Sequence, residues 1–252
     1  MKLKSIPLKT LAELDIQREA GHLAALTLKR VAAMVSPGIT TRELDDYAGL
    51  TMRMLGVTSA FLNYMGYPAQ CCISINEQVI HGIPGPRTIQ EGDVVSIDVG
   101  VWHRDFVGDN AVTLMVGACS PDVHRLVDGT RKALEAGVAQ CRPGNRLGDV
   151  SHAIEVVANE HRLGIVRDFV GHGCGRALHE EPQIPNFGSS GRGPLLLPGM
   201  VLCLEPMLNL GARAVKTLDD GWTIVARDGK PSAHFEHMVA ITEAGPEILT
   251  PR

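Results

Sequence analysis

The sequence predicts an α+β domain built from two related halves. In each half, two stretches with helix signals are joined by a Pro-Gly pair, and β-branched, apolar segments of strand length follow. When the sequence is aligned with itself at an offset of 106 residues, Pro37-Gly38 aligns with Pro143-Gly144. At an offset of 107 residues, Asp98 aligns with Glu205. Because identity between the halves is low, chance similarity is the alternative to an internal duplication.

Capping patterns predict where the helices begin. Thr10 and Thr40 each precede a glutamate by three residues, which is the pattern of a capping box. The first helix is predicted to end at the Pro-Gly pair that follows it, and the second at Gly56, where glycine adopts a left-handed cap at no steric cost. Ser120 followed by a proline predicts the start of a third helix, which runs to about Cys141.

A β-hairpin is predicted to bring two aspartates together. Strand signals occur at residues 71–75 and 94–101, and the second strand continues through a turn into another. A turn centred on His103-Arg104 places Asp98 directly opposite Asp109, or one residue away if a bulge intervenes. Like charges opposed on adjacent strands destabilise a sheet unless a proton or a cation lies between them. A cation is the simpler solution, although either aspartate taken singly also suits a turn or the rim of a sheet.

Two glutamates lie in segments that otherwise suit buried strands. Glu205 follows the apolar residues 201–204 and stands before Pro206, which has no amide to continue a ladder. Glu236 lies near the centre of a strand predicted over residues 233–241. Because an unpaired buried carboxylate is costly, exposure on an edge strand or pairing with arginine is the alternative for each. Four carboxylates in two pairs with apolar flanks favour a divalent-metal site.

A glycine-rich stretch at residues 171–182 contains His172 and His179 and predicts a loop or an irregular strand. It lacks the motif and the helical context of a phosphate-binding loop. One imidazole added to four carboxylates gives a donor set that suits two Mn, Fe, Co or Zn ions and disfavours a structural zinc site. The cysteines, Cys174 among them, are predicted to lie in the core or the pocket rather than to bind metal.

Composition narrows the possible functions. The 252 residues are 44% hydrophobic, and 24 basic against 28 acidic residues give a net charge of −4, which argues against a polybasic DNA-binding or membrane-surface protein. No apolar run is long enough for a membrane span or a signal peptide, so the protein is expected in the cytoplasm. The six cysteines include no C-x-x-C pair and are expected to be reduced thiols.

Taken together, these motifs resemble the type I methionine aminopeptidases of peptidase family M24. The match covers nearly the whole chain and follows the family's order at residues 80–84, Asp98, Asp109, residues 171–182, Glu205-Pro206-Met207 and Phe235-Glu236-His237. The resemblance implies the pita-bread fold, in which two pseudo-symmetric halves form a curved antiparallel sheet covered by helices. It also implies that residues 1–252 are one catalytic domain.

The resemblance also assigns roles to the candidate residues. It implies two divalent ions, Co, Mn, Fe or Zn, and five ligands for them: Asp98, Asp109, His172, Glu205 and Glu236. It implies His81, His179 and Glu205 as catalytic residues, and Tyr64, Tyr67, Cys72 and Trp222, with the same two histidines, as substrate-binding residues. Phe61 and Leu178 stand where the family commonly has a cysteine and an aromatic residue, which leaves the shape of the pocket open.

The function implied by the resemblance is removal of the N-terminal methionine from nascent proteins and peptides. A small second residue is expected to be favoured, with a metal-bridging hydroxide attacking the first peptide carbonyl. The expected partners are chains that begin with methionine and, transiently, the ribosome; DNA and membranes are not expected, and the protein is expected to be a monomer. Two alternatives stay open: a proline-specific or other dimetal peptidase of the same fold, and a non-catalytic module that binds peptide N-termini or partner proteins.

Overall fold

Local capping residues set the helix boundaries in the computed structural model, which describes residues 5–251. The helices are α1 (Leu11–Ala32), α2 (Thr41–Met54), α3 (Pro121–Gln140) and α4 (Leu147–Glu160). Thr10 and Thr40 form the predicted capping boxes, and the Ser120 hydroxyl caps α3. All three predicted helix starts are confirmed. The predicted end of the first helix is wrong, because its last helical residue is Ala32, several residues before the Pro-Gly pair.

The strands form antiparallel sheets in both halves of the chain. They are β1 (Thr58–Ser59), β2 (Cys72–Ile75), β3 (Gln78–Ile80), β4 (Val94–His103), β5 (Phe106–Met115), β6 (Gly164–Ile165), β7 (Gly171–Gly173), β8 (Glu180–Ile184), β9 (Val201–Leu204), β10 (Met207–Asn209), β11 (Val215–Thr217), β12 (Ile224–Ala226), β13 (Ser232–His234), β14 (His237–Thr242) and β15 (Gly245–Ile248). In the N-terminal half, β4 pairs with β1, β2 and β5. In the C-terminal half, one sheet has the order β15-β14-β9-β7-β8 and a smaller one has the order β13-β10-β6. A third sheet, of order β11-β12-β3, includes β3 from the N-terminal half.

Each half covers its sheet with a pair of helices. The apolar cluster under α1 and α2 includes Leu28 and Ile97. The cluster under α3 and α4 includes Leu134, Ile154 and Leu204. Each half therefore has an apolar core of its own. Full burial of one such side chain stabilises the folded state by about 1.5–3 kcal/mol. The predicted α+β fold of two similarly built halves is confirmed.

The hairpin of β4 and β5 has a different register from the predicted one. Its turn is Arg104-Asp105, one residue later than predicted, and the two residues have positive φ angles of 48° and 63°. Such a pair gives a tight turn whose twist matches that of paired strands. Asp98 therefore pairs with Ala111 and Asp109 with Gly100, so the predicted direct opposition of the aspartates is wrong. Because positions two apart on a strand face the same side, both carboxylates still project from one face of the hairpin.

The prediction of one continuous strand over residues 233–241 is also wrong. The chain instead forms β13 and β14, which belong to different sheets, with Glu236 between them. The backbone amide of Glu236 donates to the Ala111 carbonyl at 2.9 Å in an isolated bridge. This bridge ties the C-terminal half to β5, so a contact between the halves sets the break in the strand.

All six cysteines are free thiols, as the sequence predicts; five are buried and Cys119 is half-buried. Cys203 lies on β9 and Cys174 directly follows β7, and both belong to one cluster of buried residues that spans the two halves. Within residues 5–251, no helix is at once long enough and apolar enough to cross a lipid bilayer.

Helix α1 lies against β5 at a point of very close backbone approach. A Cβ at Gly108 would lie 2.2 Å from the Ala20 carbonyl oxygen, so only glycine fits there. The side-chain amide of Gln17 donates to the Val107 carbonyl at 3.2 Å and fixes the same contact. Because Asp109 is the next residue, this contact also fixes the position of one candidate ligand.

Replacing Gly108 by alanine is expected to destabilise the protein by about 1–3 kcal/mol, because the added methyl group must push α1 away from β5. Thermal unfolding followed by circular dichroism measures the effect. Gly85→Ala is the matched control, since a Cβ there would meet only the Ile83 carbonyl oxygen at 3.9 Å. If Gly108→Ala unfolds at the same temperature as the control, the close packing of α1 on β5 is wrong.

Candidate metal centre and active site

A cavity of about 190 Å³ lies where the two halves meet. It is lined by Phe61, Tyr64, Met65, Tyr67, Cys72, His81, Asp98 and Asp109 from the N-terminal half and by His172, Leu178, His179, Glu205, Trp222 and Glu236 from the C-terminal half. The lining contains all five candidate ligands, both candidate substrate-side histidines and all four predicted pocket residues. The fold thus brings together every candidate residue from segments that are far apart in the sequence.

The two aspartates project into this cavity from the middle of the β4–β5 hairpin. Asp109 is only 3% exposed, and Asp98 is partly buried. The Oδ1 atoms of both residues are shielded from solvent and have no hydrogen-bond partner within residues 5–251. A buried polar atom without a protein partner is unusual and is suited to binding an ion or a water. The hairpin therefore presents two oxygen atoms that are suited to a cation.

His172 contacts the carboxylates through one ring nitrogen. It lies on β7 opposite Cys203 of β9, and its Nε2 atom is 3.4 Å from Glu205 Oε1 and 3.9 Å from Asp109 Oδ2. Its Nδ1 atom is 2.9 Å from the Gly173 carbonyl oxygen. Since a carbonyl oxygen only accepts hydrogen bonds, Nδ1 carries the proton and Nε2 presents its lone pair to the cavity. This is the arrangement in which a histidine binds a metal.

Two residues beside the carboxylates are not found by the sequence analysis. His234 is buried, and its Nε2 atom is 3.5 Å from Glu205 Oε2. The Cys203 sulfur lies within 4.8 Å of ligand atoms of Asp109 and Glu236. The available signals are weak: His234 stands two residues before one glutamate, and Cys203 stands two residues before the other. Because side chains alternate between the two faces of a strand, two residues that are two positions apart lie on the same face.

Burial raises the pKa of all four carboxyl groups, and the charges of neighbouring carboxylates raise the pKa of three of them further. Burial raises the pKa of Asp109 to about 7. Burial, and then the charge of Asp109, raise the pKa of Asp98 well above its usual range. Burial, followed by the charges of the neighbouring carboxylates, does the same for the pKa values of Glu205 and Glu236. The protein alone therefore favours protons on this cluster.

A divalent cation fits the cluster better than protons do. The donors are carboxylate oxygens and one imidazole nitrogen, which Mn, Fe, Co and Zn accept as ligands. Two of the aspartate oxygens are buried without a protein partner in the described part of the chain. A positive ion among the four carboxylates would offset their repulsion and lower their pKa values again. These residues can therefore hold divalent metal.

Two further histidines stand beside the cluster. The His179 ring lies 4.3 Å from the His172 ring in an edge-to-face contact, and its Nδ1 atom is 2.7 Å from the Tyr64 hydroxyl. The His81 ring lies 6.2 Å from the Trp222 ring. Burial lowers the pKa of His81 to about 4 and that of His172 to about 3. The His81 and His172 rings are therefore neutral at physiological pH.

The remaining wall of the cavity is mostly apolar. The Tyr67 and Trp222 rings meet edge to face at 5.1 Å, and the single proton of the Tyr67 hydroxyl is shared between two backbone carbonyls at 3.0 and 3.1 Å. Its polar tip is thus satisfied by the protein, and its ring is left for apolar contact. Phe61 and Leu178 also line the cavity, so both departures from the family's usual residues fall within the pocket wall.

The chain is similar to known proteins along nearly its whole length. Residues 15–243 match the profile of the family described as Metallopeptidase family M24. Methionine aminopeptidase 1 of Bacillus subtilis is 47% identical over 242 residues, covering 96% of this chain and 98% of that protein. The crystal structure of methionine aminopeptidase from Thermotoga maritima matches with a TM-score of 0.96 and 42% identity, covering 98% of this chain and 100% of that one. Prolidase from Pyrococcus furiosus, with a TM-score of 0.77, 22% identity and coverage of 97% of this chain and 65% of that one, shares the fold.

Chelator-treated protein is expected to lose stability as the pH rises from about 4 to about 7. The pKa of Asp109 is about 7 when folded and about 4 when unfolded, so the stability that its proton contributes is fully present below about pH 4, is lost progressively up to about pH 7, and changes no further above it. The lowered pKa values of His81 and His172 act in the opposite direction below about pH 6.5, but the four carboxyl groups with raised pKa values outnumber these two histidines. Thermal unfolding across this range measures the trend.

Added Mn²⁺ or Co²⁺ is expected to reverse this trend, because a bound cation favours the ionised carboxylates. Asp109→Asn is expected to stabilise the chelator-treated protein at high pH and to abolish the stabilisation by metal. Asp105→Asn, in the exposed hairpin turn, is the matched control and should behave like the wild type. An unfolding temperature of the wild type that does not respond to metal would contradict a metal centre in this cavity.

Proposed function

The chain belongs to metallopeptidase family M24, among the methionine aminopeptidases, and we propose that it removes the N-terminal methionine from nascent proteins and peptides with a small second residue. It is an enzyme of the metallo-exopeptidase class of hydrolases. The proposal takes residues 1–252 as one catalytic domain that acts as a monomer in the cytoplasm. Its partners are chains that begin with methionine, with a transient contact at the ribosome, where such chains emerge.

The observation that carries the proposal is the convergence of four carboxylates and His172 beside an apolar wall in one cavity of about 190 Å³. So small a cavity suits the end of a chain rather than its middle. The free α-amine of the substrate would bind a divalent ion held by the carboxylates, and the apolar wall accepts an uncharged side chain. The two kinds of wall together favour an exopeptidase that acts on an apolar first residue.

We assign metal binding to Asp98, Asp109, His172, Glu205 and Glu236. Two divalent ions held there, Co, Mn, Fe or Zn, would lower the pKa of bound water and supply hydroxide near neutral pH. His172 suits this role because its Nδ1 proton is directed at the Gly173 carbonyl, which turns the Nε2 lone pair toward the carboxylates. The partnerless Oδ1 atoms of the two aspartates, within the described residues, support the same assignment.

We assign the methionine side chain to the pocket formed by Tyr64, Tyr67, Cys72 and Trp222. Contacts between a thioether and aromatic rings contribute about 0.3–1.5 kcal/mol each and need no charged partner. Phe61 lines the same cavity, and its ring packs onto Gly100 so closely that a Cβ there would lie 2.4 Å from it. The limited volume of the cavity is the basis for the preference for a small second residue.

Three residues are assigned to proton transfer and hydrogen bonding. Glu205 is the general base toward water, because its Oε2 atom lies 3.5 Å from the Nε2 atom of His234, with which it can share a proton. His179 donates a hydrogen bond to the carbonyl oxygen as negative charge develops on it. His81 contacts the nitrogen of the leaving peptide.

Hydrolysis of the peptide Met-Ala-Ser is expected to require Co²⁺ or Mn²⁺, to stop with chelator, and to exceed that of Met-Leu-Ser and Ala-Pro-Ala. Release of the first residue, measured by chromatography, gives all three rates. Faster hydrolysis of Ala-Pro-Ala would indicate a proline-specific peptidase. No hydrolysis of any peptide by the metal-loaded protein would indicate a non-catalytic binding module.

Substitutions at the assigned residues are expected to separate metal binding from catalysis. Glu205→Gln should lower kcat by about 10²–10⁴-fold, and His172→Ala should abolish turnover together with metal binding. His81→Ala should lower turnover while the metal content, measured by atomic emission, is kept. His124→Ala, on the exposed face of α3, is the control. Full activity in Glu205→Gln or His172→Ala would refute the assignment.

A further inference from the structure

The hydroxyl of Tyr64 makes a hydrogen bond to the His179 ring in the wall of the cavity. Tyr64 Oη is 2.7 Å from His179 Nδ1, and the two ring centroids are 5.3 Å apart. The residues are 115 positions apart in the sequence, so the fold creates this contact. The proposed methionine pocket uses only the ring of Tyr64, which leaves a separate role for its hydroxyl group.

The hydroxyl group is the donor in this hydrogen bond. A phenol is a stronger acid than a neutral imidazole N–H, and an unprotonated imidazole nitrogen is a better acceptor than a phenol oxygen. The separation is also shorter than the usual distance for N–H donors, about 2.9–3.0 Å. The His179 Nδ1 atom therefore carries a lone pair. Above about pH 7, where a histidine of ordinary pKa is neutral, the ring proton then lies on Nε2.

The backbone that carries His179 is held in place by the Glu180 carboxylate. Its Oε2 atom accepts a hydrogen bond from Lys9 Nζ at 2.6 Å, and its Oε1 atom accepts from the amides of Arg176 and the next residue at 2.8 and 3.3 Å. The pair is well shielded, with 5% of the Lys9 side chain and 11% of the Glu180 side chain exposed. Because the loop is fixed, rotation of the ring is the main freedom left to His179, and the Tyr64 hydroxyl restricts it.

The backbone around Tyr64 is strained. Its neighbours Asn63 and Met65 have φ angles of 67° and 49°, in the left-handed region that residues other than glycine rarely adopt. The turn is closed by hydrogen bonds from the Asn63 amide to the Tyr67 carbonyl and from the Tyr67 amide to the Tyr64 carbonyl, at 2.8 and 2.9 Å. Strain of this kind persists where the structure requires one placement of a side chain. Here the side chain so placed is that of Tyr64.

We propose that Tyr64 is a positioning residue that holds His179 as its Nε2–H tautomer. Nε2 lies across the ring from Nδ1, so its N–H points away from Tyr64 and can donate to the carbonyl oxygen of the scissile bond. In the other tautomer Nε2 would present a lone pair and could not donate, and a wrong tautomer disables a catalytic histidine. The inference rests on the oxyanion role that the proposed function gives to His179.

The tautomer can be read directly by NMR of the full-length, Zn²⁺-loaded protein with ¹⁵N-labelled histidine rings. The His179 signals are identified by their loss in His179→Gln. In the wild type we expect a protonated Nε2 and an unprotonated Nδ1. Tyr64→Phe, which removes only the hydroxyl group, should lose this preference. Tyr67→Phe is the matched control: its hydroxyl donates to backbone carbonyls, so the His179 signals should not change.

Kinetics of the same variants complete the test. Tyr64→Phe is expected to lower kcat for Met-Ala-Ser by about 10–100-fold, approaching the loss of one oxyanion donor, with KM and zinc content nearly unchanged. A wild-type His179 protonated on Nδ1, or a Tyr64→Phe variant with unchanged tautomer or unchanged kcat, would overturn the inference. The spectra do not depend on turnover, so failure of the proposed function, seen as an inactive wild type, is distinguishable from failure of this inference.

Discussion

The burial of four carboxyl groups around one imidazole is the interaction on which the rest of this structure depends. Two unit charges about 4 Å apart repel by about 4 kcal/mol at the effective dielectric constant of a partly buried site. Loss of solvent raises the pKa values of Asp98, Asp109, Glu205 and Glu236, and repulsion raises those of Asp98, Glu205 and Glu236 further. Carboxylates without nearby cations would separate if the backbone allowed it. Their convergence therefore requires a rigid fold and favours a cation.

Rigidity comes from the way the two halves contribute to the cavity. Each half has its own apolar core and supplies one pair of carboxylates, the first from the middle of a hairpin and the second from the ends of strands. The bridge between Ala111 and Glu236 joins the two pairs at the backbone. At Gly108 the contact of α1 with β5 fixes the strand next to Asp109. Packing that is remote from the carboxylates thus determines how closely they approach.

Local features of this fold are predictable from the sequence, whereas pairings between distant segments are not. Thr10 and Thr40 reveal helix starts because a capping box is contained in four residues. The hairpin register depends on which pair adopts the left-handed turn, and the polar residues 103–105 allow more than one choice. The strand break at Glu236 depends on Ala111 in the other half, which no local pattern encodes. The candidate carboxylates stand out because charges inside apolar strands are unusual, while Cys203 and His234 beside them carry no such signal.

The central claim is that these five residues hold a pair of divalent cations. Crystals of the protein grown with Co²⁺, with diffraction data collected at the cobalt absorption edge, test it most directly. The account predicts two anomalous peaks in the cavity, at about 2.0–2.2 Å from carboxylate oxygens and from the His172 nitrogen. An anomalous map with no peak bound by these residues would contradict it.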